Sequence, residues 1–274
     1  MIHRRNHGRG HSYWDGEGAA AVKLPGVTSI VSECMAPSRG LRRWPGKVTA
    51  RYAVDYWDQL SQLRYSERLD QLLAAQDTER TRVTRKGTQV HRVAELLIET
   101  GPDEPEVEVP DELVGYAQNY AAFLDAYSMK TVAVELVIAN RKVGYCGTLD
   151  VIGDLPEVSL GDELLPPARW LLDVKSGASG VWPEAAIQTC AYSRAEVYLG
   201  TDGQEHPFSE LGVQRCGAIH VREDGWDLIP LVTGAETWSY FQHLAWLWYH
   251  GDAVKTWVGA AADPPDELLG GSSP

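Results

Sequence analysis

The chain has 274 residues, 44% of them hydrophobic, enough to bury a core in one large domain or two small ones. No run is long and apolar enough to cross a membrane, and no apolar segment follows the basic opening stretch, which argues against a secretory signal and makes the cytoplasm the default. A net charge of −13 disfavours nucleic acid as a partner, but residues 1–100 hold 16 Lys and Arg against 11 Asp and Glu, and the remainder 9 against 27.

Residues 1–22, rich in Gly and His, read as a flexible N-terminus. "LPGVTSIVSEC" is open between a strand and a short helix. Basic residues cluster in "SRGLRRWPGK" (Arg42, Arg43, Lys47) and again in "ERTRVTRKG" (Arg82, Arg85, Lys86), a pattern more often a solvated face than a phosphate track. Between them, from Val48 to about Ala75, Tyr52, Tyr56, Leu60 and Leu63 recur at helical spacing. "QVHRVAELLIET" predicts a helix of about three turns, stopped by Gly101-Pro102. An acidic, Pro-bounded loop leads to "ELVGYAQNYAAFLDAY", helical again. The period then changes to that of strands in "TVAVELVIA", "KVGYCGTLDVIGDL" and, past a polar insertion, "RWLLDVKSG".

"WPEAAIQTCAYSRAEVYLG" reads as one helix, with Pro183 near its first position and Gly200 just past its end. "RCGAIHVREDGWDLIPL" is a hairpin turning at Asp224-Gly225. "AETWSYFQHLAWLWYH" is a helix aromatic on most sides and therefore buried or docked, and 259–274 is a disordered tail. The order predicts one α/β domain over 23–258, with a helical N-terminal part over about 23–83 and a core over about 84–258. Cys34, Cys146, Cys190 and Cys216 form no CxxC pair and read as free thiols.

"WLLDVKSG" carries the chemistry. Alternation along a strand puts Asp173 and Lys175 on one face and Val174 on the other. If 145–155 and 169–176 form one hairpin centred near residue 162, Asp150 lies opposite about residue 174 and Asp154 near Trp170. Two opposed carboxylates repel unless something positive sits between them: Lys175, or a divalent cation suited to carboxylate oxygens. A plain cross-strand salt bridge remains the alternative. His91 and Glu95 share a helix face, as do Gln188 and Tyr192; each pair alone is unremarkable.

Taken together, "GTQVH", "GTLD", "LLDVKSG" and the Gln188–Tyr192 "QxxxY" spacing, in that order over about residues 84–230, resemble the PD-(D/E)XK nucleases. The closest likeness is to the RecB-type exonuclease branch, with its CRISPR-associated and phage recombination members. The resemblance implies a restriction-endonuclease-like core, a central mixed β-sheet flanked by helices, behind a helical N-terminal extension. It implies catalytic Asp150, Asp173 and Lys175, and a Mg²⁺ or Mn²⁺ ion held by His91, Asp150, Asp173 and the Val174 backbone carbonyl. Glu135 takes the place of a further acid on the first strand, and Glu95 reads as a supporting residue or a helix salt bridge. Gln188 and Tyr192 would contact DNA near the scissile phosphate. Arg42, Arg43, Lys47, Arg82, Arg85 and Lys86, with Trp44 among them, would wall a single-strand channel.

No cysteine group stands near the C-terminus, so no iron–sulfur cluster is expected. The implied activity is metal-dependent exonucleolytic cleavage of DNA in recombination or repair, alongside a partner such as a single-strand annealing protein. An endonuclease on the same core, and a non-cleaving DNA-binding scaffold derived from it, are the alternatives.

Overall fold

The computed structural model describes residues 1–7, 10–37, 39–100, 109–177 and 180–260. Three short strands, β1 (Ile2–His7), β2 (Gly10–Asp15) and β3 (Val22–Leu24), precede helices α1 (Val27–Cys34), α2 (Arg39–Asp55), α3 (Trp57–Ser61), α4 (Tyr65–Thr100) and α5 (Val114–Ala126). Strands β4 (Lys130–Asn140) and β5 (Tyr145–Leu155) follow, then the small β6 (Val158–Leu160) and β7 (Glu163–Leu165), and β8 (Ala168–Lys175). The chain continues through α6 (Pro183–Ser193), β9 (Val197–Leu199), β10 (Glu205–Pro207), β11 (Arg215–Val221), β12 (Trp226–Pro230) and α7 (Ala235–His250).

Seven strands form one mixed sheet in the order β10-β9-β4-β5-β8-β11-β12. Only β8 and β11 run parallel, because α6 carries the chain between them; the other neighbours are antiparallel. One face buries Val27, Ile30, Ile187, Tyr192, Phe241 and Leu244 from α1, α6 and α7 against Leu149, Ile152 and Leu171. The other buries Val90, Val93, Tyr120 and Phe123 from α4 and α5 against Trp170, Leu172 and Val174. The domain is thus α/β, a mixed sheet covered on both sides. Among the described residues no helix is long and apolar enough to cross a membrane.

Several boundaries differ from the sequence-based expectations. The opening stretch, expected to be flexible, forms the antiparallel meander β1–β3, because Ile2 and Tyr13 are buried beside Ala139 and Cys146. The ambiguous "VTSIVSEC" is helical. The expected three-turn helix at "QVHRVAELLIET" is the end of α4, whose 36 residues run about 54 Å. Good helix formers and the Glu79–Arg82 pair carry it through the basic cluster, and Gly87 costs only about 1 kcal/mol relative to Ala there. Helix α6 stops at Ser193 rather than near Gly200, since Val197-Tyr198-Leu199 pairs as β9 on the edge of β4.

The β5–β8 register is one residue from the expected one: Asp154 faces Arg169, with an Nε–Oδ1 ion pair of 2.7 Å, because the insertion turns as its own hairpin at Gly161. Helix α7 is buried on one face alone, leaving Tyr240, Trp246 and Tyr249 about half exposed. The acidic loop at 101–108 and the tail beyond residue 260 lie outside the described residues.

Arg141 fastens the meander to the sheet. Its guanidinium donates to Asp15 Oδ2 at 2.7 Å, Asp15 Oδ1 at 2.8 Å and Glu205 Oε1 at 2.7 Å, and Glu205 Oε1 also accepts the Ile2 N–H at 2.6 Å. Arg141 holds both carboxyls below their ordinary range. A carboxylate with a depressed folded pKa adds stability above its unfolded value and loses it as pH falls through the folded one. Arg141→Ala is therefore expected to cost about 1–2 kcal/mol at neutral pH and to flatten the acid limb of a melting-temperature profile below about pH 4. A variant profile parallel to that of the wild type would show that the network does not anchor the fold.

Candidate active site

The site lies where β5 and β8 part. Their ladder runs from Leu155↔Ala168 to Val151↔Leu172 and stops, and beyond it Asp150 Oδ2 accepts the Val174 N–H at 2.7 Å in place of a backbone partner. Tyr192 of α6 is packed beside Gly147: a Cβ on that glycine would fall 2.6 Å from the ring. The tyrosine hydroxyl accepts from Gln188 Nε2 at 2.7 Å, and the same amide donates to Thr28 at 3.2 Å. The "GTLD" and "QxxxY" stretches are therefore one packed unit.

The pleat itself resets here. Leu149 packs against the α6–α7 core and Val151, two residues on, against the α4–α5 core; Leu136 and Val134 on β4 divide the same way. Between them stand Asp150 and Glu135, the latter with φ of 47°, a left-handed conformation uncommon outside glycine. This break in alternation brings both acids to His91 of α4. The three residues offer one ligand atom each, all within 4.8 Å of one another, and Glu95 lines the same cleft. His91 Nδ1 is 3.4 Å from Asp150 Oδ1.

The electrostatics follow from crowding. Asp150 raises the His91 pKa to about 9, burial working against it. Burial pushes Asp150 up, but His91 and Lys175 prevail and hold it below the ordinary value. Burial, then the charges of Asp150 and Glu95, pushes Glu135 up to about 7. Asp173 is 2% exposed and raised to about 6 by burial, with Lys175 Nζ 2.7 Å from its Oδ2. Lys175 keeps its proton: burial disfavours the charge, but Asp173 and Asp150 outweigh it.

The sequence-derived residues divide into groups. His91, Asp150 and Glu135 converge; Asp173 stands beside them with its carboxylate turned to Lys175; Val174 links β8 to Asp150 through its N–H. Lys47 lines a groove that also contains Lys175 and Gln188, whereas Arg42, Arg43 and Arg85 are exposed. Arg82 is held by two bonds to Glu79, each 2.7 Å, and the Lys86 ammonium lies 4.4 Å from the centre of the Tyr116 ring.

Sequence reasoning missed two contributors. Arg4 of the meander reaches Thr148 Oγ1 at 3.4 Å and Glu135 Oε2 at 3.6 Å. His220 sits beside Lys175 in the parallel β8–β11 register; its Nε2 donates to the Gly177 carbonyl at 2.8 Å while Nδ1 accepts from Arg222 at 2.8 Å, pinning the turn that leaves the lysine strand. The only sequence signals were a basic dipeptide and a histidine inside a strand.

The donor chemistry fits a hard divalent cation. One imidazole and two carboxylates are a donor set for a divalent cation, and a cation at that point would favour the charged form of Glu135, which burial and the charges of Asp150 and Glu95 disfavour. In comparisons with known proteins, no family model matches the chain and no curated protein matches it.

Proposed function

We propose that this chain is a Mg²⁺- or Mn²⁺-dependent deoxyribonuclease with a restriction-endonuclease-like core, acting as a RecB-type exonuclease on DNA in the cytoplasm during recombination or repair. The observation that carries the reading is the convergence of His91, Glu135 and Asp150 within 4.8 Å next to the Asp173–Lys175 ion pair. Hydrolysing a phosphodiester takes an activated water and neutralisation of charge growing on the phosphoryl oxygens. His91, Asp150 and Glu135 would hold the divalent ion, with Asp173 and the Val174 carbonyl as further oxygen donors beside it. When bound, the ion supplies Lewis acidity and lowers the pKa of water.

The protein's own groups do the rest. Lys175, paired with Asp173, is a hydrogen-bond donor and a positive charge beside the reaction centre, suited to orienting water and stabilising the pentavalent phosphorus. Asp173 fixes its ammonium, and His220 fixes the turn behind it. Gln188 offers its amide from α6 to the DNA backbone, and Tyr192, 3% exposed, holds that amide in place through its hydroxyl. A recombination partner, such as a single-strand annealing protein, would meet the enzyme at the DNA end.

The test is cleavage of end-labelled linear DNA beside covalently closed circles, with Mn²⁺ or EDTA, by wild type and Asp173→Ala. Metal-dependent loss of linear substrate alone, abolished in the variant, is the expected result. Nicked circles would place the enzyme among endonucleases. Binding without cleavage of either substrate would overturn the catalytic reading in favour of a scaffold.

A further inference from the structure

A small cavity lies against the three convergent residues, between α4, α5, β4 and β5. His91, Glu95, Glu135 and Asp150 line it together with Tyr120 of α5, and its free space of about 10 Å³ is the room of one water-sized sphere. Among the described residues that line it are neither Asp173 nor Lys175; the lysine lines the wide groove beside α6 instead. Tyr120 is 1% exposed, and its phenolic oxygen has no hydrogen-bond partner among the described residues. Buried hydroxyls are ordinarily paired, with protein or with ordered water. The ring is fixed by packing in the α4–α5 core, its centre 6.4 Å from that of Phe123. Burial, then the charge of Asp150, pushes the phenol pKa above its ordinary value, so the oxygen keeps its proton and is a donor.

Resting on the metal-dependent nuclease reading, we propose that Tyr120 is a positioning residue for the divalent ion. Its hydroxyl donates to one water in this cavity, and that water is a ligand of the ion held by His91, Glu135 and Asp150. A water held inside a protein needs roughly two to four polar partners. Tyr120 supplies the donor, the Glu95 and Glu135 carboxyls are acceptors for the water's protons, and one lone pair is left for the ion. Mg²⁺ in particular gives up its waters reluctantly and keeps several in its shell. The ion must also face the phosphate, which leaves the cavity itself to the water. Nothing the size of a nucleotide enters so small a space, so this water holds the ion, and the attacking one stands on the Lys175 side. A phenylalanine would fill the same packing position, and only the hydroxyl adds a partner for that water.

The test is Mn²⁺ binding without DNA, followed by loss of the free-ion electron paramagnetic resonance signal, beside thermal melts in EDTA and at a fixed Mn²⁺ concentration. Tyr120→Phe keeps the packed ring and removes the hydroxyl alone. It is expected to bind Mn²⁺ roughly 10-fold more weakly, the loss typical of removing a partner that orients a metal's ligands. In EDTA it should melt no lower than the wild type, because no protein bond is lost, whereas its gain from Mn²⁺ should be smaller. Equal Mn²⁺ affinity in the two proteins would overturn the role of Tyr120. So would a variant that melts lower by the same amount with and without Mn²⁺, since the hydroxyl would then serve the fold alone. Either result, with a wild type that binds Mn²⁺ and cleaves DNA, leaves the nuclease reading intact. Wild-type protein that binds no Mn²⁺ would overturn both.

Discussion

Lys175→Ala is expected to lower metal-dependent DNA cleavage by roughly 10²–10³-fold with DNA binding largely kept, the loss typical of removing one preorganised electrostatic donor from a reaction centre. The same change acts on stability in a way that depends on pH. Asp173 is 2% exposed and already raised to about 6 from an ordinary 3.8, with the lysine ammonium restraining the shift. Without that ammonium its folded pKa rises further. A carboxyl whose folded pKa lies above its unfolded one binds more protons when folded, so its stability contribution is complete below about pH 4 and declines as pH rises through the folded value. The melting temperature of the variant should therefore fall further behind that of the wild type at pH 8 than at pH 5. Lys175→Ala with unchanged cleavage would remove the residue from the reaction. A melting-temperature gap independent of pH would show that Asp173 does not depend on it.

Gly147→Ala is expected to destabilise the fold by about 1–3 kcal/mol and to impair cleavage although the residue touches no reacting group. The added methyl would fall 2.6 Å from Tyr192 Cε1 and 3.2 Å from Cδ1, and that ring is 3% exposed with nowhere to retreat. Moving it would also shift Gln188, whose amide is bonded to the tyrosine hydroxyl. Tyr192→Leu removes the clash, so the double variant should cost less than the two single changes added together. Thermal melts of the four proteins give the coupling directly. Strict additivity would mean that the strand yields rather than the ring.

Much of the layout was legible in the residues. Alternation marked β5 and β8, Pro183 marked the start of α6, and Asp224-Gly225 marked the turn between β11 and β12. Asp150, Asp173 and Lys175 were legible for the same reason: charged residues inside otherwise apolar strands are costly unless paired. What escaped was set by tertiary contacts. The left-handed backbone at Glu135 has no sequence signature, because glutamate is not a residue that seeks positive φ. Strand β9 was absorbed into a helix because Val197-Tyr198-Leu199 gains its strand pairing from β10 and from the distant edge of β4, and not from its own residues. Arg4 and His220 were invisible because their partners, Glu135 and Gly177, lie 131 and 43 residues away.

The bond from the Ile2 amide to Glu205 spans 203 positions of chain. During synthesis at about 5–20 residues per second, the meander leaves the ribosome roughly 10–40 s before the residue that receives it. Over that interval the ribbon has Arg141, Ala139 and Cys146 to dock against, but the bond that closes it onto Glu205 cannot form. Vectorial folding thus leaves the last bond of the first strand until most of the chain has been made.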